Sequence, residues 1–288
     1  MDENKINNYQ KNSNNTNIYI ILVVVRCRPL NQKEKEISQK EIVRITDKKI
    51  IKLTDPTGFL NPNNSRSKEQ TLEFDHVFDI NDNQETIFNH TTKKLIDTVV
   101  EGYNSTVFAY GATGTGKTYT MLGNDENPGI MSLTLRELFN KIKSFENRDY
   151  IIKLWYLEIY NENIRDLLIS NSPNLELRED PNKGLIINGI TEMVTNSSED
   201  ILNILKKGNK NRTTEATNAN TTSSRSHAIL QILVSYKEKN TIDNKIKYGK
   251  LNLVDLAGSE RASVTKNKGM RLIEGANINK SLLILGNC

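Results

Sequence analysis

Eight consecutive residues carry the clearest chemical pattern in this chain of 288 residues. Gly111, Ala112, Thr113, Gly114, Thr115, Gly116, Lys117 and Thr118 satisfy the phosphate-loop pattern G-x-x-x-x-G-K-[ST] at every fixed position. The glycines let the backbone turn tightly and point successive N–H groups inward, which makes a nest for an anion. Lys117 has the reach for β- and γ-phosphates, and the Thr118 hydroxyl is a ligand for Mg²⁺. The competing explanation is a chance glycine-rich turn. The flanks argue against it. Thr106-Val107-Phe108-Ala109-Tyr110 reads as a buried strand, and Thr118-Tyr119-Thr120-Met121-Leu122 can begin a helix.

A phosphate loop alone holds a nucleotide; a conformational output needs groups that feel the γ-phosphate. Two stretches are candidates. Asn220-Thr221-Thr222-Ser223-Ser224-Arg225-Ser226-His227 gathers short hydroxyl and amide side chains beside one arginine. Such groups can ligate Mg²⁺, hold phosphate oxygens and orient a water. A Ser-rich linker has the same composition, which by itself does not separate the two. Asp255-Leu256-Ala257-Gly258-Ser259-Glu260 follows the apolar run Leu251-Asn252-Leu253-Val254. An acid at a strand end is where a Walker-B-type Asp holds Mg²⁺, and Gly258 could offer its N–H to the γ-phosphate.

The elements that must position these groups follow from periodicity. Residues 1–17, rich in Asn and Lys, read as a disordered leader. Residues 18–25 form a continuous apolar run, expected as a central strand that Pro29 stops. Residues 42–45 and 50–53 suggest an antiparallel pair, and 55–69 a long polar loop with a basic tip at Arg66 and Lys68. A helix is expected over 83–100, capped at its start and ended by Gly102. Another opens at Pro128-Gly129, with Leu133, Leu135, Leu138, Phe139 and Ile142 as its stripe. Residues 150–160 read as a long strand with Trp155 in the core, 162–168 as a short helical turn, and 171–195 as hairpin material bearing Arg178, Glu179, Asp180 and Lys183. Ser197 to Asp200 cap a helix that Gly208 is expected to end. Two strands, 228–236 and 246–254, and a helical pattern over 272–288 complete the chain. The fold class expected is α/β: a three-layer P-loop NTPase whose central, mostly parallel sheet is flanked by helices.

Composition sets outer bounds. Hydrophobic residues make up 36% and charged residues 26%, as in ordinary globular proteins. A net charge of +4 is too mild to demand nucleic acid but permits a basic patch for an acidic partner. The two cysteines, Cys27 and Cys288, form no C-x-x-C and His is scarce, which argues against structural zinc and a disulfide framework and for a reducing, intracellular compartment. The longest apolar run is too short to span a bilayer, and no secretory signal is visible.

Taken together, the two sensor stretches resemble the kinesin motors. Residues 220–227 fit their N-x-x-S-S-R-S-H, and 255–260 their D-L-A-G-S-E. Arg26-Cys27-Arg28-Pro29, Phe108-Ala109-Tyr110-Gly111, Tyr156-Leu157-Glu158-Ile159-Tyr160-Asn161-Glu162 and Asn277-Ile278-Asn279-Lys280-Ser281-Leu282 agree, in order, over 18–288. Tyr110-Gly111-Ala112-Thr113, Gly208-Asn209-Lys210-Asn211-Arg212-Thr213 and the loop 55–69 look like the kinesin-8 branch.

This resemblance implies a motor domain over 18–288 that hydrolyses ATP with Mg²⁺ and works on microtubules in the cytoplasm and cytoskeleton, with no nucleic acid and no membrane insertion. For the kinesin-8 branch it adds plus-end-directed movement and microtubule shortening. Arg26, Arg28 and Pro29 would flank the adenine and Tyr119 would stack on it. No N-K-x-D guanine reader occurs, which favours ATP over GTP. Thr118 and Ser224 would ligate Mg²⁺, with Asp255 behind a water. Asn220 and Ser223 would touch the γ-phosphate, with Gly258 beside it. Arg225 and Glu260 would form an ion pair, and Glu260 would then take a proton from the attacking water through a relay. Arg178, Lys183, Lys266, Lys268, Arg271, Arg66 and Lys68 are the candidate track contacts, and Lys280 would begin the helix that relays nucleotide state. Against the family pattern, the chain stops at Cys288 within the relay helix. The expectation is a motor domain lacking its C-terminal part, with any dimerisation region elsewhere. The alternatives are a non-motile, nucleotide-dependent microtubule-binding fragment and a P-loop NTPase unrelated to the cytoskeleton.

Overall fold

The structure, a computed structural model, describes residues 21–36, 42–54, 69–181, 184–195, 197–214, 224–240, 245–260 and 270–287. The expected leader, the loop tip with Arg66 and Lys68, Lys183, Asn220, Ser223, Lys266, Lys268 and Cys288 lie outside the described residues, as does the side chain of Arg271. Two compact units divide the chain, Met1–Asn81 and Asp82–Cys288.

In the first unit, β1 (Val24–Arg26) pairs in parallel with β5 (His76–Phe78). The antiparallel β2 (Val43–Ile45), β3 (Ile50–Thr54) and β4 (Glu69–Glu73) form a three-stranded sheet that contains the expected pair. The expectation of a central strand over 18–25 is corrected. Among the described residues only Val24 and Val25 of that run are strand, β1 has one partner, and Ile21 is 81% exposed. An apolar run reports a tendency to be buried; it does not specify neighbours. The short helix α1 (Gln32–Glu36) starts with a reciprocal cap: Asn31 Oδ1 accepts from Glu34 N (2.9 Å) and Glu34 Oε2 from Asn31 N (2.8 Å).

The second unit is built on a six-stranded sheet. Its members are β6 (Ser105–Ala109), β7 (Arg148–Tyr160), β8 (Asn163–Asp166), β11 (Met193–Val194), β12 (Ser226–Glu238) and β13 (Lys247–Asp255). Their order is β11-β7-β12-β13-β6, with β8 on β7. The helices are α2 (Gln84–His90), α3 (Lys93–Val100), α4 (Lys117–Met121), α5 (Ile130–Lys143), α6 (Ser198–Thr214) and α7 (Met270–Asn287). The strands β9 (Glu176–Asp180) and β10 (Gly184–Asn188) make a separate antiparallel hairpin, within the stretch expected to be one. Alternation along β7, β12 and β13 puts Ile152, Leu154, Tyr156, Leu230, Ile232, Val234, Leu251 and Leu253 in the core, against Val99, Leu135 and Leu138 of the helices. Each such side chain contributes about 1.5–3 kcal/mol on burial.

The α/β fold agrees with expectation; the mostly parallel sheet does not. Only the β13–β6 pairing is parallel, so the sheet is mixed. Too few residues separate β12 from β13 for the crossover that a parallel pair needs. The helix expected over 83–100 is two helices. Asn83 caps the first by accepting from Thr86 N (2.8 Å). At its end Thr91 Oγ1 takes the Ile87 carbonyl (2.6 Å), a local bond that competes with helix continuation. The expected helical turn at 162–168 is instead β8, reached through a turn in which Asn161 (φ 48°) and Glu162 (φ 64°) are both left-handed. Such two-residue turns match the twist of a hairpin; Asn advertises this conformation and Glu does not. Trp155 is half-buried, and the fully buried aromatic of that strand is Tyr156.

Gly208 does not end α6, which runs on to Thr214. The glycine serves packing: a Cβ there would collide with the Tyr156 ring. Tyr156 Oη donates to Asn209 Oδ1 (2.6 Å), which fixes the ring under the helix. In an exposed helix Gly→Ala stabilises by about 1 kcal/mol. Here Gly208→Ala is expected to destabilise by about 1–3 kcal/mol through overpacking. Urea unfolding would read it, and a stability gain would refute the packing role.

Candidate functional site

The loop 111–116 joins β6 to α4, where the phosphate pattern requires it. Gly114 (φ 81°) and Gly116 (φ 93°) adopt left-handed backbone, and Gly116 is the cap of α4. Parallel register aligns Ala109 of β6 with Asp255 of β13, so the loop and the 255–260 segment leave the sheet at the same end.

Three contacts tie that segment to the loop. Thr118 Oγ1 donates to Asp255 Oδ2 (2.8 Å). Thr113 donates its N–H to Glu260 Oε2 (2.8 Å) and its hydroxyl to Glu260 Oε1 (2.5 Å). Ser259 N–H donates to Gly111 O (3.0 Å). A side chain on Gly258 would strike both the Glu260 carboxylate and the Thr113 hydroxyl, so glycine permits this fold-back. The Gly258 N–H donates to Ser224 O (2.7 Å), which joins the two stretches expected to sense phosphate. Ser224 and Arg225 are half-buried at the entry to β12.

Lys117 Nζ rests on Ala112 O (3.0 Å). Burial pushes its pKa below the ordinary lysine value; Asp255 and Glu260 oppose this and Arg212 adds to it. For Glu260, burial favours the neutral acid, but the Thr113 hydrogen bonds and the Lys117 charge outweigh it, and the carboxyl lies below its usual range. Tyr119 is partly exposed on α4.

Beneath the loop lies a buried ionic group. Antiparallel register sets Glu158 of β7 beside Ala228 of β12, and Ala228 beside Asp255. Arg212 descends onto this row from α6. Its Nη1 donates to Asp255 Oδ2 (2.7 Å), its Nε to Ser226 Oγ (3.2 Å) and its Nη2 to Ser226 O (2.9 Å). Its Nε also lies 3.7 Å from Glu158 Oε1, an ion pair beyond hydrogen-bond range. Arg212, Glu158 and Asp255 are all at most 3% exposed. Sequence reasoning assigned no role to Arg212 or Glu158. A signal was present: Glu158 shares the buried parity of Leu154 and Tyr156, and a carboxylate there demands a cation.

The Thr118 hydroxyl and the Asp255 carboxylate meet at the loop, and Asp255 Oδ1 is buried with no hydrogen-bond partner among the described residues. A hydroxyl plus one carboxylate, beside a phosphate cradle, is a hard-oxygen set that fits Mg²⁺, which keeps waters and takes the rest of its shell from the substrate's phosphates.

His227 precedes Ala228 and is nearly buried. Its Nδ1 accepts from Ala257 N–H (3.1 Å), and its Nε2 lies 2.9 Å from Ser281 Oγ of α7. Burial, then the Arg212 charge, lower its pKa to about 4 against the opposing Asp255.

Of the other expected residues, Arg26, Arg28 and Pro29 belong to the first unit. There Arg28 forks onto Glu34 (2.6 and 2.7 Å), and this pairing and the Asn31 N–H hold the Glu34 carboxyl down to about 2. Arg178 pairs with Glu176 (2.8 Å) in the exposed hairpin, and Lys280 of α7 with Glu162 (3.1 Å).

A P-loop between strand and helix, bonded to the 255–260 segment, which is bonded in turn to Ser224, defines a P-loop nucleotide-binding domain. The particular family follows from comparison. Residues 26–288 match the kinesin motor domain. The chain is 48% identical over 275 residues to the kinesin-like protein KIF19 of Xenopus laevis, a match covering 93% of this chain and 27% of that protein. It is 46% identical over 272 residues to the kinesin-like protein KIN-8B of Arabidopsis thaliana, covering 93% and 33%. A solved structure of a fast kinesin superposes with a TM-score of 0.81 at 37% identity, covering 92% of this chain and 73% of that one. The chain belongs to the kinesin motor domain family, and it spans about a third or less of the length of these curated relatives.

Proposed function

We propose that this chain is the ATP-hydrolysing, microtubule-binding motor part of a kinesin-8-type protein. The observation that carries the proposal is the direct bonding of the 255–260 segment to the phosphate loop, Thr118 to Asp255 and Thr113 to Glu260. A γ-phosphate entering this loop meets groups already wired to a second segment. The similarity to KIN-8B supports the kinesin-8 assignment.

In this proposal Lys117 leaves the Ala112 carbonyl for the β- and γ-phosphates, and Thr118, Ser224 and Asp255 would hold Mg²⁺. The ion supplies charge neutralisation on the phosphate oxygens. Asn220, Ser223 and Gly258 attend the γ-phosphate. Glu260, ionised, receives a proton of the attacking water through a second water, while the bond from the γ-phosphorus to ADP breaks. Arg225 pairs with Glu260 when the segments close. Phosphoryl transfer asks mainly for positioning and charge stabilisation, and these groups supply both.

Steady-state ATPase with and without microtubules, with GTP for comparison, tests the proposal. Preference for ATP and stimulation by microtubules are expected. Binding to microtubules that depends on nucleotide, without stimulation, would replace the proposal by the non-motile alternative. Neither effect would overturn both.

A further inference from the structure

We propose that His227 is a positioning residue that couples the 255–260 segment to α7 through one directed chain of hydrogen bonds. The inference rests on the ATPase reading above and adds a route by which nucleotide state reaches that helix.

The direction of the chain is fixed by what each atom can do. The Ala257 amide can only donate, so His227 Nδ1 is the acceptor and carries no proton. The neutral ring must then hold its proton on Nε2. Ser281 spends its own hydrogen on Ile278 O, 2.7 Å away, so its oxygen is left to accept from Nε2–H. Ala257, His227, Ser281 and Ile278 therefore have one consistent proton arrangement. A histidine filling core space would not need two polar neighbours matched in direction, the second of them itself oriented by Ile278 O. This ring joins a residue two places after Asp255 and one before Gly258 to the middle of α7.

A separate attachment grips the same turn of α7. Asn277 Nδ2 donates to Asn161 Oδ1 (2.7 Å), and Lys280 Nζ to Glu162 Oε1 (3.1 Å). Both partners sit on the β7–β8 turn, which belongs to the sheet. The helix is thus tied at one turn to the sheet and, through His227, to the sensor segment. If Ala257 shifts when Asp255 and Gly258 respond to phosphate, the rigid ring carries the shift to Ser281 or the bond parts. In both cases the hold on α7 changes while the β7–β8 grip stays.

The two bonds can be cut singly. His227→Asn keeps an acceptor near Nδ1 for Ala257 but cannot reach Ser281. Ser281→Ala removes only the far bond. Ser281→Ala is expected to leave basal ATPase within about twofold and lower microtubule stimulation by about fivefold or more. The double variant His227→Asn with Ser281→Ala should show no further loss beyond His227→Asn, because both break one link. In parallel, ¹⁵N NMR of the His227 ring should report the neutral Nε2–H form, and its resonance should move when ADP is exchanged for a non-hydrolysable ATP analogue. Wild-type stimulation in Ser281→Ala, or independent losses that multiply, would overturn the coupling. If microtubules fail to stimulate the unsubstituted chain, it is the functional reading that fails. The NMR arm still decides the link: an Nδ1–H ring, or a resonance blind to nucleotide, overturns it.

Discussion

Glu260→Ala is expected to leave ATP affinity within a few-fold and to reduce turnover by about 10²–10⁴-fold, the range for losing a positioned proton acceptor. The separation follows from the geometry. In the proposed site the anion cradle is backbone from Gly111 to Gly116 with Lys117 and Thr118, and among these Glu260 holds only Thr113. What Glu260 adds is an ionised carboxylate held over the loop by Thr113 N–H and hydroxyl. Those bonds favour the charged form against the cost of burial, so the carboxyl is ionised at neutral pH. Single-turnover hydrolysis, alongside equilibrium binding of a fluorescent ATP analogue, checks both halves. Turnover within tenfold of the unsubstituted chain would remove Glu260 from the chemistry. A large loss of ATP affinity would mean that it shapes the cradle instead.

The site's loops were legible in sequence because each is a contiguous pattern whose residue types have few other uses. A glycine-lysine loop between a β-rich run and a helix start names its own position, and Asp255 announces itself as an acid ending an apolar strand. The pairing of strands was less legible. Apolar alternation fixes which face of β12 or β13 is buried, but direction depends on the connections, and a mostly parallel sheet was expected where three of the four neighbours in the main order are antiparallel. Gly208 shows a second limit. Read locally, it is a helix stop; only the Tyr156 ring from another strand explains a glycine inside α6. Arg212 shows the same thing for function. Its partners Ser226, Glu158 and Asp255 come from three strands, so no spacing along the chain could assemble them.

That buried group carries the largest expected effect on stability. Arg212→Ala should cost about 3–5 kcal/mol, the usual result of removing one partner from a buried charge pair. The reason is what remains. Asp255 is fully buried and Glu158 3% exposed, and each would lose its cation while staying out of water. Replacing arginine by lysine should recover only part of the loss. The planar guanidinium meets Asp255, Ser226 Oγ and Ser226 O from three different nitrogens, Nη1, Nε and Nη2, whereas the three N–H groups of an ammonium all leave one nitrogen and do not span the same acceptors. Removing the demand should help more than substituting the supply. The double variant Glu158→Gln with Arg212→Met should cost clearly less in total than the two single changes added together, since part of each penalty is the charge the other leaves behind. Urea unfolding of the four species gives the cycle, with an unchanged m-value as the condition for comparing them. Additive losses would mean that Glu158 and Arg212 do not share a charge balance. A cost under 1 kcal/mol for Arg212→Ala would mean that water reaches the group and that Asp255 is not held in place by arginine. Because Asp255 Oδ2 takes both the Arg212 and the Thr118 hydrogen bonds, the same cycle repeated with nucleotide bound reports whether this brace stays closed when the loop is filled.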